Sequence, residues 1–226
     1  MHEFKPHAIL PEQIEGLAQE LLQASKECLL NIAASKSRME KQNFTPYVRA
    51  SPWLQRYSSL IPNFGPILDI AAGSGRHTQY LLDKGHSVVS IDKDVSRLAR
   101  IRDARLSIAQ VNLEVPRSWP FKSGAFAGII VTNYLHRPLF PIIIKALAAG
   151  GLLVYETFAQ GNEKFGKPTN PDYLLEPGEL IQLTTGHLHI IGYEDVAVDQ
   201  PKPARIQRIC ASRHPPDRNK RLPLNT

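Results

Sequence analysis

The chain has 226 residues, 42% of them apolar and 21% charged, which is enough to bury one full core and excludes a disordered chain. No apolar run reaches the length of a membrane span, and the N-terminus lacks a basic segment followed by an apolar one. The expected setting is therefore the cytoplasm, with no membrane partner.

The formal net charge of +6 counts as a nucleic-acid signal only if it lies on the folded body. Seven Lys or Arg against Asp217 alone fall between Gln200 and Thr226, and the other 199 residues hold 20 basic and 20 acidic groups. The excess belongs to the C-terminal end. Residues 213–226, with Pro215, Pro216 and Pro223 and no periodicity, read as a basic flexible tail. A nucleic-acid partner through that tail is allowed but not favoured. Cys28 and Cys210 show neither metal-ligand spacing nor a CxxC pair, so no metal site is expected and both read as small buried hydrophobes.

In chain order, residues 12–34 place Ile14, Leu17, Leu21, Leu22, Leu29 and Ile32 mostly on one helical face behind Pro11. A linker is expected near 36–46. Met39 precedes the main pattern, and a chain beginning there would keep every strand named below, so residues 1–45 are expected to be a helical extension and linker. The main domain is then 46–212. Within it, 67–70 is a strand, 71–75 a loop of small residues, and a helix runs from Thr78. Strands follow at 88–91 and 107–111 with a helix over 96–101 between them. A strand at 127–132, a helix over 139–147 and a strand at 152–157 come next. Residues 159–177 form a long loop, of a length that is usually functional or disordered, and 178–184 a short helix. The last two strands, 187–198 and 205–211, are too close for a helical crossover and pair as an antiparallel hairpin. The class is α/β: a Rossmann-like, doubly wound sheet of seven strands, mostly parallel, closed by that hairpin.

Ligands of such sheets bind beyond the carboxyl ends of the strands. Those ends carry Asp69 with the 71–77 loop, Asp92, the run Asn112, Leu113 and Glu114, the run from Asn133 to Arg137, and Glu156. Asp92 ends the second strand 23 residues after Asp69, where a carboxylate can accept two hydrogen bonds from a ribose diol. Helix capping is the structural alternative for both aspartates. The dinucleotide pattern GxGxxG fails because Thr78 stands at its third glycine, and a phosphate-binding P-loop fails because Arg76 and His77 replace its Gly-Lys.

What fits is Asp-x-[Gly or Ala]-x-Gly-x-Gly over 69–75. With Asp92 and the terminal hairpin, this loop resembles that of the class I S-adenosylmethionine-dependent methyltransferases, across roughly 50–212. The run Leu-Asp-Ile-Ala-Ala-Gly-Ser-Gly-Arg-His-Thr resembles the small bacterial tellurite-resistance type. The resemblance implies that 46–212 binds S-adenosyl-L-methionine as methyl donor. Asp69 and the backbone of Ala71, Gly73, Ser74 and Gly75 would hold the methionine moiety, Asp92 the ribose, and Asn112 and Leu113 the adenine, with Asn133 completing the cofactor set. Two departures stand out. Ala71 replaces a usual glycine, tolerable at negative φ, and Asn112 stands where many members carry Asp but can still accept from an adenine amino group.

Methyl transfer from a sulfonium needs alignment above all, worth up to about 7–11 kcal/mol, and a base adds about 10²- to 10⁴-fold. The expected candidates for the catalytic groups are His136, Tyr134 and Glu156. The loop 159–177, with Phe165, Asn170, Asp172 and Tyr173, and the segment 47–53, with Arg49, are expected to enclose a small-molecule acceptor. An RNA methyltransferase using the tail and a non-catalytic binder are the alternatives. No pattern in the sequence bears on oligomeric state.

Overall fold

Ile67 to Ile70 is apolar on both sides of an acidic residue, and the strand it forms, β1 (Ile67–Ile70), is buried at every position. Only a strand in the middle of a covered sheet behaves this way. The computed structural model describes residues 49–215. The predicted helix over 12–34, the linker near 36–46, Cys28, Tyr47 and the tail beyond 215 lie outside the described residues.

The other strands are β2 (Val88–Asp92), β3 (Leu106–Gln110), β4 (Phe126–Thr132), β5 (Leu147–Phe158), β6 (His189–Val198) and β7 (Ala204–Ser212). They make one seven-stranded sheet in the order β3-β2-β1-β4-β5-β7-β6. The first five strands run parallel, and β7 is antiparallel to both β5 and β6. The predicted architecture and its closing hairpin are both present.

The two faces of the sheet are sorted by the alternation of side chains. Ile67, Val88, Ile130 and Val154 pack with Trp53, Tyr57, Leu81 and Leu82, so α1 (Pro52–Tyr57) and α2 (Arg76–Asp83) cover one face. Leu68, Ile70, Val131 and Tyr155 pack with Phe140, Ile143 and Leu180, so α3 (Phe140–Ala146) and α4 (Glu179–Thr184) cover the other. Ser51 caps α1 by accepting from the Trp53 backbone N–H at 3.1 Å, and Pro52 follows where no donor is lost. Trp53 is thereby turned into the core at 2% exposure, so this end of the segment 47–53 packs inside the domain. Cys210 is buried in the same core, and its burial raises the thiol pKa.

Three local expectations need correction. Residues 96–101 do not form a helix; only a 3-10 turn, Leu98–Arg100, is present. Arg97 and Arg100 repel at i,i+3 spacing, which disfavours a helix there. The fifth strand begins at Leu147, five residues earlier than predicted, because Ala148-Ala149-Gly150-Gly151 reads as a turn yet is drawn into the sheet with an irregularity beside Phe126 and Gly128. Finally, the basic end is partly structure. Arg205 pairs with Asp195 at 2.6 Å, and Arg208 pairs with Glu194 and Glu156. The Arg213 guanidinium donates to carbonyls at the end of α3, including that of Lys145 at 3.1 Å, so Arg213 belongs to the fold. Among the described residues no helix is long and apolar enough to cross a membrane.

Candidate cofactor and acceptor site

The loop after β1 takes its shape from three residues in the left-handed region. Ala71 has φ 52°, Gly73 57° and Gly75 82°. The condition under which Ala71 was expected to be harmless, a negative φ, is not met, and the methyl group carries local strain. At Gly75 a Cβ would lie 2.5 Å from Ile101 Cδ1 and 2.9 Å from Leu98 Cδ2. The 3-10 turn after β2 therefore packs directly onto that glycine. Gly73 is different: it is exposed, and an added Cβ meets nothing closer than the Ala71 carbonyl at 4.0 Å. This open side is where a ligand can approach the backbone.

Asp92 fastens the cradle. Its Oδ2 accepts from the Gly73 N–H at 2.8 Å and its Oδ1 from the Asp94 N–H at 2.9 Å. Each oxygen keeps a further lone pair, so the carboxylate both shapes the loop and can accept from a diol. Ser74 is exposed beside it.

Beneath the loop lies a polar layer that the sequence did not announce. Asp69 is 1% exposed. Its Oδ2 accepts from the Thr78 hydroxyl at 2.7 Å, and the Thr78 hydroxyl also lies 2.7 Å from that of Ser90. Its Oδ1 is buried without a partner. Loss of solvation outweighs the Thr78 hydrogen bonds and pushes the Asp69 carboxyl up to about 7. Next in α2, His77 is 2% exposed; its Nδ1 lies 3.1 Å from the Thr132 hydroxyl and its Nε2 has no partner. Burial, with Arg76 adding to it, pulls the imidazole down to about 3, so it is neutral. Thr132 pairs in register with Glu156, Glu156 with Arg208, and Arg208 with Glu194. The layer thus continues across the sheet from β4 through β5 and β7 to β6. The one available signal for it was parity: Asp69 and Ile67, and Thr132 and Ile130, share a face.

After β3, Leu113 is buried and Asn112 is exposed, its Oδ1 accepting from the Glu114 N–H at 3.1 Å. Asn133 has φ 54° and is exposed at the end of β4. Its N–H donates to the Glu156 carbonyl at 2.9 Å. Tyr134 is half-buried, and its carbonyl accepts from the Tyr155 hydroxyl at 2.8 Å. Burial first, then Glu114, Asp92 and Tyr173, push the Tyr134 phenol up to about 12. His136 is half-buried, with extended backbone. Glu156 is turned to the opposite side of β5 from Tyr155 and is paired with Arg208 at 3.4 Å. The Arg208 guanidinium in turn lies 4.8 Å from the centre of the Trp53 ring. Of the residues expected on the acceptor loop, Phe165 and Tyr173 are half-exposed and Asn170 caps a 3-10 turn by accepting from the Asp172 N–H at 3.0 Å. Among the described residues no three His, Cys, Asp or Glu side chains converge on a metal position. A cavity of about 490 Å³ lined by Asn63, Pro66 and His86 opens at the amino ends of β1 and β2, away from this cradle.

No family model matches the chain, and no curated protein matches it in sequence. Solved structures do match. TehB from Haemophilus influenzae superposes with a TM-score of 0.60 at 15% identity, over 77% of this chain and 65% of that one. An S-adenosylmethionine-dependent methyltransferase from Mesorhizobium loti gives 0.57 at 15% identity, over 73% and 99%. The Burkholderia thailandensis 1,6-didemethyltoxoflavin-N1-methyltransferase, solved with 1,6-didemethyltoxoflavin and S-adenosylhomocysteine, gives 0.54 at 16% identity, over 93% of each chain. The chain has the class I methyltransferase fold. Identity this low shows the fold alone, and it does not single out the tellurite-resistance type within it. In this methyltransferase fold the Gly73 cradle sits at the carboxyl end of β1, beside the point where strand order reverses between β1 and β4.

Proposed function

We propose that the protein is an S-adenosylmethionine-dependent methyltransferase that acts on a small-molecule acceptor. The observation that carries this reading is the Asp92–Gly73 hydrogen bond, which ties an acid at the end of β2 to the open side of a positive-φ loop in this fold. When bound, S-adenosylmethionine supplies a methyl group on a sulfonium, already activated for displacement.

The chain's own residues then bind and orient. Asp69, with its unpartnered Oδ1, and the backbone of Ala71, Gly73, Ser74 and Gly75 hold the methionine end. Asp92 accepts from the ribose, Leu113 and Asn112 flank the adenine, and Asn133 lines the exit from β4. The three catalytic candidates separate by environment. Tyr134, with its phenol held at about 12, keeps its proton and is available as a hydrogen-bond donor to the acceptor. Glu156 is committed to Arg208 and orients that cation. His136 is left to take the proton of a hydroxyl or amine acceptor at the end of β4.

The RNA alternative rests on the tail 213–226, of whose basic residues Arg213 donates to carbonyls at the end of α3. Calorimetry with S-adenosylmethionine and S-adenosylhomocysteine tests the reading, and absence of binding by either would sink it. A screen of amine, phenol and thiol acceptors for S-adenosylhomocysteine release then tests the acceptor class. Deleting 216–226 should leave any activity found in that screen intact.

A further inference from the structure

The cavity at the amino ends of β1 and β2 lies at the opposite edge of the sheet from the cradle. Two short segments wall it: residues 63–66, which lead into β1, and residues 84–87, which lead from α2 into β2. Backbone hydrogen bonds fix both. The Ile67 N–H donates to the Ser87 carbonyl at 2.9 Å, and the Ala127 N–H donates to the Pro66 carbonyl at 2.9 Å. The carbonyls of Tyr80, Leu81 and Leu82 near the end of α2 accept from the N–H groups of Lys84, His86 and Gly85 at 3.1, 3.1 and 2.9 Å, so those acceptors are already occupied. The volume enclosed is about 490 Å³, within the roughly 300–1,000 Å³ of small-molecule pockets. Gly85, at φ 91°, leaves its side of the cavity open, since an added Cβ there would meet nothing within 4 Å.

The chemistry of the lining is one-sided. Lys84 brings an ammonium that makes no ion pair among the described residues, its Nζ lying 5.7 Å from the centre of the Tyr80 ring. Asn63, Ser87 and the half-buried His86 bring neutral hydrogen-bonding groups, and burial holds that imidazole below its ordinary pKa. No Asp or Glu lines the cavity. Asp83, the adjacent acid in the chain, accepts from the Gln79 side chain at 2.9 Å. Phe64 adds a ring that is 60% exposed, more than any other large hydrophobic side chain among the described residues. A cation, neutral donors and an open aromatic face with no opposing carboxylate match a ligand that is itself a ring carrying negative charge.

We propose that this cavity binds a small aromatic anion, a flat ring bearing a carboxylate or phosphate, with the acid on Lys84 and the ring against Phe64. The four residues of β1, at about 3.3 Å each, separate the cavity from the cradle by roughly 13 Å. Methyl transfer needs reacting atoms about 3–3.5 Å apart, so this ligand is not the methyl acceptor. The site is a second one, and it stands whether or not the cradle binds S-adenosylmethionine.

The test titrates phenyl phosphate and benzoate into the full chain, with calorimetry for affinity and amide NMR for location. At least one should saturate with a Kd below about 10 mM, moving the signals of Gly85, His86 and Ser87 and leaving those of Gly73 and Asp94 in place. Inorganic phosphate, which lacks the ring, and benzyl alcohol, which lacks the charge, should each bind at least about tenfold more weakly. Lys84→Met should weaken the aromatic anion by about tenfold and Phe64→Ala by about threefold to tenfold. Both positions are exposed, and the wild-type titration decides the matter even if a variant fails to fold. Saturating S-adenosylhomocysteine should leave the affinity unchanged. The proposal is overturned if neither probe saturates, if Lys84→Met binds as the wild type does, or if S-adenosylhomocysteine displaces the probe, which would place the probe in the cradle.

Discussion

The Thr78 hydroxyl donates to Asp69 Oδ2 at 2.7 Å and leaves the other oxygen of that carboxylate buried and unpartnered. The neighbouring residue, His77, also keeps one ring nitrogen unpartnered. The two groups are buried in β1 and α2, and their ionisation is displaced in opposite senses.

The stability of the fold should therefore hide two opposing pH dependences. Asp69 is raised from 3.8 to about 7, so between about pH 4 and 7 the native state holds a proton that the unfolded state has released, and stability falls as pH rises. His77 is lowered from 6.5 to about 3, so between about pH 3 and 6.5 the unfolded state holds the extra proton, and stability rises with pH. Where the windows overlap, from about pH 4 to 6.5, the two slopes oppose. Urea unfolding across that range should show a shallow dependence in the wild type. His77→Leu should lose stability with rising pH, and Asp69→Asn should gain it, each by up to roughly 1 kcal/mol per pH unit. Parallel profiles for the two variants would refute the assignment.

Ala71 occupies φ 52° where glycine is at ease. The left-handed conformation costs a residue with a Cβ about 1–2 kcal/mol, and a glycine loses back about 0.5–1 kcal/mol in unfolded-chain entropy. Ala71→Gly should thus raise stability by about 0.5–1 kcal/mol, and Ala71→Val should lower it, since a branched Cβ fits that region worse. Denaturant midpoints decide this. A less stable Ala71→Gly protein would show that the methyl group contributes more by packing than it costs in strain.

Gly192 in β6 faces the Tyr57 hydroxyl, and a Cβ there would stand 2.1 Å from that oxygen and 2.8 Å from Cζ. Tyr57 is buried against Trp53, with ring centres 4.7 Å apart, so it has no free space to yield. Gly192→Ala should cost about 1–3 kcal/mol by overpacking. Adding Tyr57→Phe should return part of that loss, because the closest atom is gone. If thermal unfolding shows the double variant to be no more stable than Gly192→Ala, the contact is not the cause.

Much of this protein could be read from residue order. Apolar runs of strand length separated by helical spacing identified the strands, most plainly β1 and β4, which are buried at every position because both faces of the sheet are covered there. Positive-φ glycines and a carboxylate at the end of β2 marked the cradle, because local backbone geometry and chain direction are set by near neighbours. The failures were local too: a charged six-residue segment could not become a helix, and a Gly-rich run was recruited into β5 by a partner strand far away in sequence.

Only the tertiary structure decided what those residues meet. That Asp69 and His77 each keep one polar atom without a partner depends on how closely α2 packs on β1 and β4. That Glu156 is committed to Arg208 depends on strand register between β5 and β7, and that Arg137 grips Glu179 depends on a contact 42 residues apart. Register and packing are properties of the assembled sheet, not of any one segment. The sequence by itself therefore specified the fold and where its positive-φ loop lies, while the assembled chain decided which partners the candidate side chains meet.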